Sequence, residues 1–431
     1  MKKDLRARSS SGRAPSARRL RRKNKQASTI IHDLPDKLLK LVLLRLDSSA
    51  CLVRAASTCR RWRGIIAASD DFLRLSRTLH RPLIAGHYHL EKDPSEFVPS
   101  SSSPDHEFGA RRFSSLDFLP AGNRRWEVAD CHGGLVLLRQ PEPVVFPDLV
   151  VCDPVARRYQ GITHPQVRAG YNFADASLLD PDGDSAAIFS MHNYRVLYRF
   201  FMGPRACVFT AGEPGGDWRE LDELGNDLDH FTMAHVAGRL DGSQLCMGLM
   251  HCGRAILLDN STLEFSYIDL PTNKDEVVVV DPSSAVSEEE EEEDYDSSYF
   301  RVVHSDLMPK ATRIVHVWGQ ELEVFRQQQG AGEWVLEHHI PRLSEACRGV
   351  PGYPEKKRFD WIVDVAANGA GFVVLSVLDC GRKWLFSVDV ETMKMAAVPD
   401  RTYDGATCPY TLPWPPVFVA CLAQNRRRRR S

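Results

Sequence analysis

The sequence predicts a multidomain protein: a small all-α trihelical module followed by a mostly-β domain, propeller-like, of about six blades with some irregular. Three observations carry this. Leucines crowd residues 34 to 46 in a helical context. After Pro82 the texture changes to short Val-, Ile-, Leu-, Phe- and Tyr-rich runs between Gly, Pro, Asp and Asn turns. Similar strand units then return at roughly 40- to 50-residue spacing, the signature of propeller blades. A β-sandwich or an incomplete barrel is the competing architecture for the second part.

The helical module runs from Ile31 to Ser69. Pro35 sits where a helix begins, since a first-turn proline loses no needed N–H. Asp36 puts a carboxylate in that turn, which the helix dipole favours. Leu38, Leu39, Leu41, Val42, Leu43, Leu44 and Leu46 wrap most of the helix instead of keeping to one stripe. Asp47, Ser48 and Ser49 break it and offer capping side chains. A second helix carries Leu52, Val53 and Ala56. A third carries Trp62, Ile65 and Ile66 with Arg60, Arg61 and Arg63 between them, and Phe72, Leu73, Leu75 and Leu79 form a linking helix. So short a segment cannot cover this apolar surface by itself, so a helical partner is expected. A plain cap on the larger domain would not need so many outward leucines.

The run Leu34-Pro35, Leu38-Leu39, Leu46, Leu52-Val53-Arg54 and Cys59-Arg60-Arg61-Trp62-Arg63 resembles the F-box. In that family the trihelical segment docks onto the adaptor Skp1. The resemblance implies Skp1 contact by Leu34, Pro35, Leu38, Leu39, Leu43, Leu46, Leu52, Val53, Cys59 and Trp62. Some of these must instead hold the helices together, with Trp62 expected to do both.

Length and composition set the bounds. The 431 residues, 43% hydrophobic, suffice for two or three domains, and the net charge of −2 gives no global bias toward nucleic acid. Charge is uneven, however. Residues 1–28 form a basic tail with Arg18-Arg19-Leu20-Arg21-Arg22-Lys23, 424–431 a basic end, and 281–298 an acidic loop around Glu288 to Asp294; such blocks repel themselves and are expected to be disordered. The start lacks the apolar core of a signal peptide, and no run of about 18 apolar residues suggests a membrane span. The 11 scattered cysteines form no C-x-x-C pair, and Cys152, Cys207 and Cys246 sit in apolar runs. Reduced, buried thiols in the nucleus or cytoplasm are expected.

Residues 29–80 are thus the helical module and 81–423 the β domain. Pro82 to Tyr88 reads as its first strand, 91–107 as a Pro/Ser-rich loop, and Arg112 to Leu119 as another strand-like stretch. Two units then recur. The first is strand–Asp–turn–strand, with Asp153, Asp259 and Asp389 placed to accept the N–H groups of the turn behind them. The second is a strand leading to Gly and Trp, at Cys207 to Trp218 and Leu322 to Trp334. Behind an F-box, these units resemble the F-box-associated β-propeller-like domains found in plants. The closing Tyr410-Thr411-Leu412-Pro413-Trp414-Pro415-Pro416 is similar to endings of cereal F-box proteins.

Catalytic patterns are absent from the sequence. There is no G-x-x-x-x-G-K-[ST], no H-E-x-x-H and no G-x-S-x-G to supply a nucleophile beside Cys131-His132-Gly133-Gly134. His338-His339 and His251-Cys252 have no ligands at a useful sequence spacing and read as strand residues. Trp218, Trp318, Trp334, Trp361 and Trp384 read as filling between blades.

The expected function is therefore non-catalytic: the substrate-receptor subunit of an SCF-type E3 ubiquitin ligase. It would bind Skp1, and through it cullin, by the F-box, and a protein target by the β domain, with no cofactor and no metal. The alternative is a nucleic-acid-associated scaffold using the basic tails. No aromatic residue interleaves the basic ones in 1–28, which argues against stacking on bases.

Overall fold

Short strands with two apolar faces need cover on both sides, and sheets stacked face to face in a closed ring supply it. The structure, a computed structural model, describes residues 34–46, 51–52, 55, 59–67, 72, 75, 84–90, 97–99, 116–119, 125–141, 146–166, 172–181, 189–201, 206–212, 218–221, 234–240, 244–249, 254–271, 298–304, 312–328, 333–351, 362–379, 382–399 and 402–412. The basic tails, most of the acidic loop, His251-Cys252, Val53, Trp361 and the Pro413 to Pro416 ending lie outside them. The chain divides into two units, Met1–Leu79 and His80–Ser431.

The first unit holds α1 (Asp36–Leu44) and α2 (Arg60–Ala67), with residues 51, 52, 55, 72 and 75 also helical. Pro35 is the residue just before α1, and its carbonyl accepts the N–H groups of Leu38 and Leu39 at 3.0 Å.

The second unit opens with β1 (Ile84–His89) and β2 (Phe97–Pro99). Blade 1 is β3 (Glu127–His132), β4 (Leu135–Arg139), β5 (Leu149–Asp153) and β6 (Arg158–Ile162). Blade 2 is β7 (Asn172–Leu179), β8 (Arg195–Phe201), β9 (Ala206–Thr210) and β10 (Trp218–Glu220). Blade 3 is β11 (Ala234–Leu240), β12 (Gln244–Leu249), β13 (Arg254–Asp259) and β14 (Phe265–Asp269). Blade 4 is β15 (Ser298–His304), β16 (Thr312–Trp318), β17 (Glu321–Gln327) and β18 (Trp334–Ile340), followed by the short α3 (Leu343–Ala346). Blade 5 is β19 (Ile362–Gly369), β20 (Phe372–Asp379), β21 (Arg382–Asp389) and β22 (Met395–Val398). The last strand, β23 (Thr407–Thr411), returns to pair antiparallel with β1.

The described residues thus form a six-bladed β-propeller of antiparallel sheets. Blade 6, β2-β1-β23, joins the two ends of the domain and closes the ring. Its innermost strand, β23, meets the inner strands β19 and β3 on either side. Each interface has its own apolar cluster: blades 1 and 2 around Tyr194 and Phe200, 2 and 3 around Met247, 3 and 4 around Phe300 and Trp334, 4 and 5 around Val365 and Phe386, 5 and 6 around Tyr403, and 6 and 1 around Tyr88 and Tyr410. Cys152, Cys207 and Cys246 are buried among these strands.

The two recurring sequence units alternate over blades 1 to 5. Asp153, Asp259 and Asp389 lie between the third and fourth strands of blades 1, 3 and 5. Asp389 Oδ1 accepts from the N–H groups of Glu391 (3.1 Å) and Thr392 (2.8 Å), Asp259 from Ser261 and Thr262, and Asp153 from Ala156. Four residues after each Asp the chain turns left-handed, at Arg157, Leu263 and Met393 with φ of 54°, 59° and 53°. Blades 2 and 4 carry Trp218 and Trp334 on the outermost strand instead, and Trp334 is buried against blade 3.

Two expectations are corrected. Residues 91–107 read as a loop, but Phe97–Pro99 form β2. Three residues suffice for an edge strand, where Pro99 is tolerated, and the Phe97 ring packs on Tyr88. The end of the strand expected over Arg112 to Leu119 is a turn, in which Leu119 N–H bonds the carbonyl of Leu116.

Candidate functional site

In the helical unit, the leucines of α1 divide by face. Leu39, Leu43 and Leu44 are buried, whereas Leu38, Leu41 and Val42 are 49%, 57% and 52% exposed. Leu52, Ala55, Ile66 and Phe72 are also buried. Of the residues expected at a docking surface, Leu39, Leu43 and Leu52 are buried. Pro35 and Leu38 are exposed, and Leu34, Leu46, Cys59 and Trp62 are half-buried. The exposed triple on α1 is an apolar patch that the unit leaves uncovered.

A surface ion pair links the start of α1 to α2. Arg61 of α2 reaches back to α1, its Nε 2.9 Å from Asp36 Oδ1, and also donates to the carbonyl of Leu34. Cys59 stands at the start of α2, where the N–H groups of Trp62 and Arg61 hold its thiol below the usual range. The Cys-x-x-Trp spacing thus places a sulfur where a helix needs an acceptor for its first free N–H groups.

In the propeller, the inner strands bring together charged groups that sequence reading did not single out. Asp130 of β3 accepts the N–H of Leu178 on β7 at 2.8 Å and the guanidinium of Arg239 on β11 at 2.5 Å. Arg239 also donates to the Leu178 carbonyl at 2.8 Å, so one ion pair ties blades 1, 2 and 3. Beside it, His132 Nε2 lies 2.8 Å from Asp180 Oδ1, and Asn260 Nδ2 donates to Asp180 Oδ2 at 2.9 Å. Burial pushes the Asp180 carboxyl up, but His132, Arg239 and Asn260 outweigh it and hold it below the usual range. His132 in turn is pushed down by burial and by Arg239. Arg195 donates to the carbonyls of Asp180 and Asn260.

Asp130 reaches this position through a β-bulge, which bends a strand and re-aims its next side chain. The inner strand pairs of blades 1, 2, 3 and 5 shift register between Val128 and Asp130, Phe173 and Asp175, Val236 and Gly238, and Val365 and Ala367. The residue between is alanine each time. This repeat was legible as Val-Ala-Asp, Phe-Ala-Asp, Val-Ala-Gly and Val-Ala-Ala and would have located the inner strands.

His132-Gly133-Gly134-Leu135 is the tight β3–β4 hairpin, with Gly133 and Gly134 at φ of 56° and 87°. Asp130 and Arg239, and His132, Asp180 and Asn260, are thus paired across blades 1, 2 and 3 and help to hold them together.

Comparisons with known proteins give structural neighbours and one family match. Among solved structures, the chain is similar to the β-propeller domain of Myceliophteria thermophila Cps50 (Swd1), at 12% identity and a TM-score of 0.38 over 68% of this chain and 78% of that one. It is also similar to YCF48 from Cyanidioschyzon merolae, at 10% identity and a TM-score of 0.35 over 64% and 72%. The blade count rests on the strand pairing given above. No curated protein matches the chain. Residues 31–74 match the F-box domain, which identifies the helical unit as an F-box in front of a six-bladed β-propeller.

Proposed function

We propose that this chain is the substrate receptor of an SCF-type E3 ubiquitin ligase. The observation that carries the reading is an F-box at residues 31–74 in the same chain as a six-bladed propeller. F-box domains generally bind Skp1-like adaptors, and α1 leaves Leu38, Leu41 and Val42 uncovered, as such docking needs. Each fully buried apolar side chain contributes roughly 1.5–3 kcal/mol, so three of them supply a useful part of a stable interface. The propeller would hold a protein target. Ubiquitin transfer would belong to other subunits, with this chain raising the target's local concentration near them. The strand–Asp–turn–strand units support a propeller of the plant F-box-associated type, and the nucleus and cytoplasm are the expected compartments.

The test is co-purification of the full chain with a Skp1-like adaptor. Leu38→Asp and Val42→Asp alter exposed positions, so each variant should fold, keep its melting temperature and lose adaptor binding at least tenfold. Leu39→Asp would bury a carboxylate inside the unit and report on folding instead. Unchanged adaptor binding by the folded Leu38→Asp/Val42→Asp chain sinks the reading.

A further inference from the structure

Blade 4 carries a group of polar side chains outside the axial network. Glu321 and Glu323 are two residues apart on β17 and so share a face. His339 of β18 is the direct cross-strand partner of Glu323, and His316 of β16 is its partner on the other side. Ligand atoms of Glu321, Glu323 and His339 all lie within 4.8 Å of one another. His339 Nε2 and Glu321 Oε2 are 3.6 Å apart. That is long for a hydrogen bond and near the separation of about 3.4 Å between two ligands of a tetrahedral ion with bonds of about 2.0–2.1 Å.

The surroundings hold this arrangement in place. Glu323 is buried, and its Oε2 accepts from His316 Nδ1 at 3.1 Å, which orients the carboxylate. The His316 ring is fixed by stacking on Phe300, 4.3 Å away and tilted by only 11°. Next to Glu321, Gln320 accepts from the N–H of Leu343 and from Ser344 Oγ, both at 2.8 Å. These bonds tie the hairpin bearing Glu321 to the chain just beyond His339. Glu321 and His339 keep some solvent exposure, which leaves an entry path. Two carboxylates this close repel when ionised, and a cation between them removes the repulsion.

We infer that Glu321, Glu323 and His339 bind a divalent first-row transition-metal ion of the Zn²⁺ type, with His316 as the positioning residue for Glu323. Two carboxylates and one imidazole leave at least one coordination position for water or for a donor group on a bound partner. The inference goes beyond the ligase reading and does not depend on it. Sequence spacing hides the site because its ligands come from two strands and meet only through strand register.

The experiment titrates metal-stripped full-length chain with Zn²⁺ alone and then with Co²⁺, comparing wild type with the Glu321→Gln/His339→Asn double variant. Both positions are partly exposed, so the variant should fold, as circular dichroism checks. Wild type should bind one more equivalent of Zn²⁺ than the variant and gain a Zn²⁺-dependent rise in melting temperature that the variant lacks. The Co²⁺ difference spectrum should show no thiolate charge-transfer band. His316→Asn should weaken binding about 10- to 100-fold at unchanged stoichiometry. Equal stoichiometry and equal thermal shifts in wild type and double variant, or a thiolate band in the difference spectrum, overturn the assignment.

Discussion

Acid should loosen the interface between blades 3 and 4, and His235 shows why. Its Nε2 accepts the N–H of Phe300 at 3.0 Å, which only the neutral ring can do. Burial, with the nearby charge of Arg301, holds its pKa down to about 3, against an ordinary 6.5. Below pH 6.5 the unfolded chain therefore takes up a proton that the folded chain refuses, so stability is complete above that pH and falls as pH drops. The slope approaches about 1.4 kcal/mol per pH unit. Between pH 7 and pH 5 the loss from this one ring is about 2 kcal/mol, roughly thirtyfold in the folded-to-unfolded ratio. The ring keeps some solvent contact, so screening makes that figure a ceiling. His132 and His87, both pushed down by burial, steepen the dependence. The assay is urea unfolding at the two pH values, followed by tryptophan fluorescence, for wild type and His235→Gln. The variant's drop from pH 7 to pH 5 should be smaller by most of that amount. An identical drop in both proteins would refute the argument.

Other perturbations probe the ring directly. Arg239→Met leaves the carboxylate of Asp130 buried without its guanidinium and should cost about 3–5 kcal/mol; adding Asp130→Asn should recover a measurable part of it in a double-mutant cycle. Gly248→Ala would put a methyl 2.2 Å from the Phe300 ring and should destabilise by about 1–3 kcal/mol by chemical denaturation. Asp389→Ala removes the acceptor of two turn N–H groups near solvent and should lower stability by about 1 kcal/mol, with near-native circular dichroism.

Local chemistry was the legible part of this molecule. The leucine-rich α1 and the carboxylates that brace hairpins at Asp153, Asp259 and Asp389 are written within a few residues of their partners. The alternation of those hairpins with Trp218 and Trp334 also shows in sequence, though its assignment to successive blades 1 to 5 needs the strand pairing. What could not be read depends on distance along the chain. Asp130 and Arg239 are 109 residues apart and meet because three inner strands share an axis. The split of α1 into Leu39 and Leu43 inside and Leu38 and Val42 outside follows from where the other helices pack, not from a stripe in α1. β2 escaped notice because its three residues sit among Pro and Ser, and only the free edge of β1 makes them a strand.

Blade 6 has a consequence for how the protein is made. Its outer strands, β1 and β2, leave the ribosome first, and its inner strand, β23, leaves last. At about 5–20 residues per second the wait between them is tens of seconds. Until β23 arrives the nascent propeller is an open arc, in which the blade 1 face has Tyr88 of β1 to pack against but lacks Tyr410. A message truncated before residue 407 would therefore yield an intact F-box on a ring that can never close. Such a product would keep its F-box while presenting exposed sheet to the quality-control machinery.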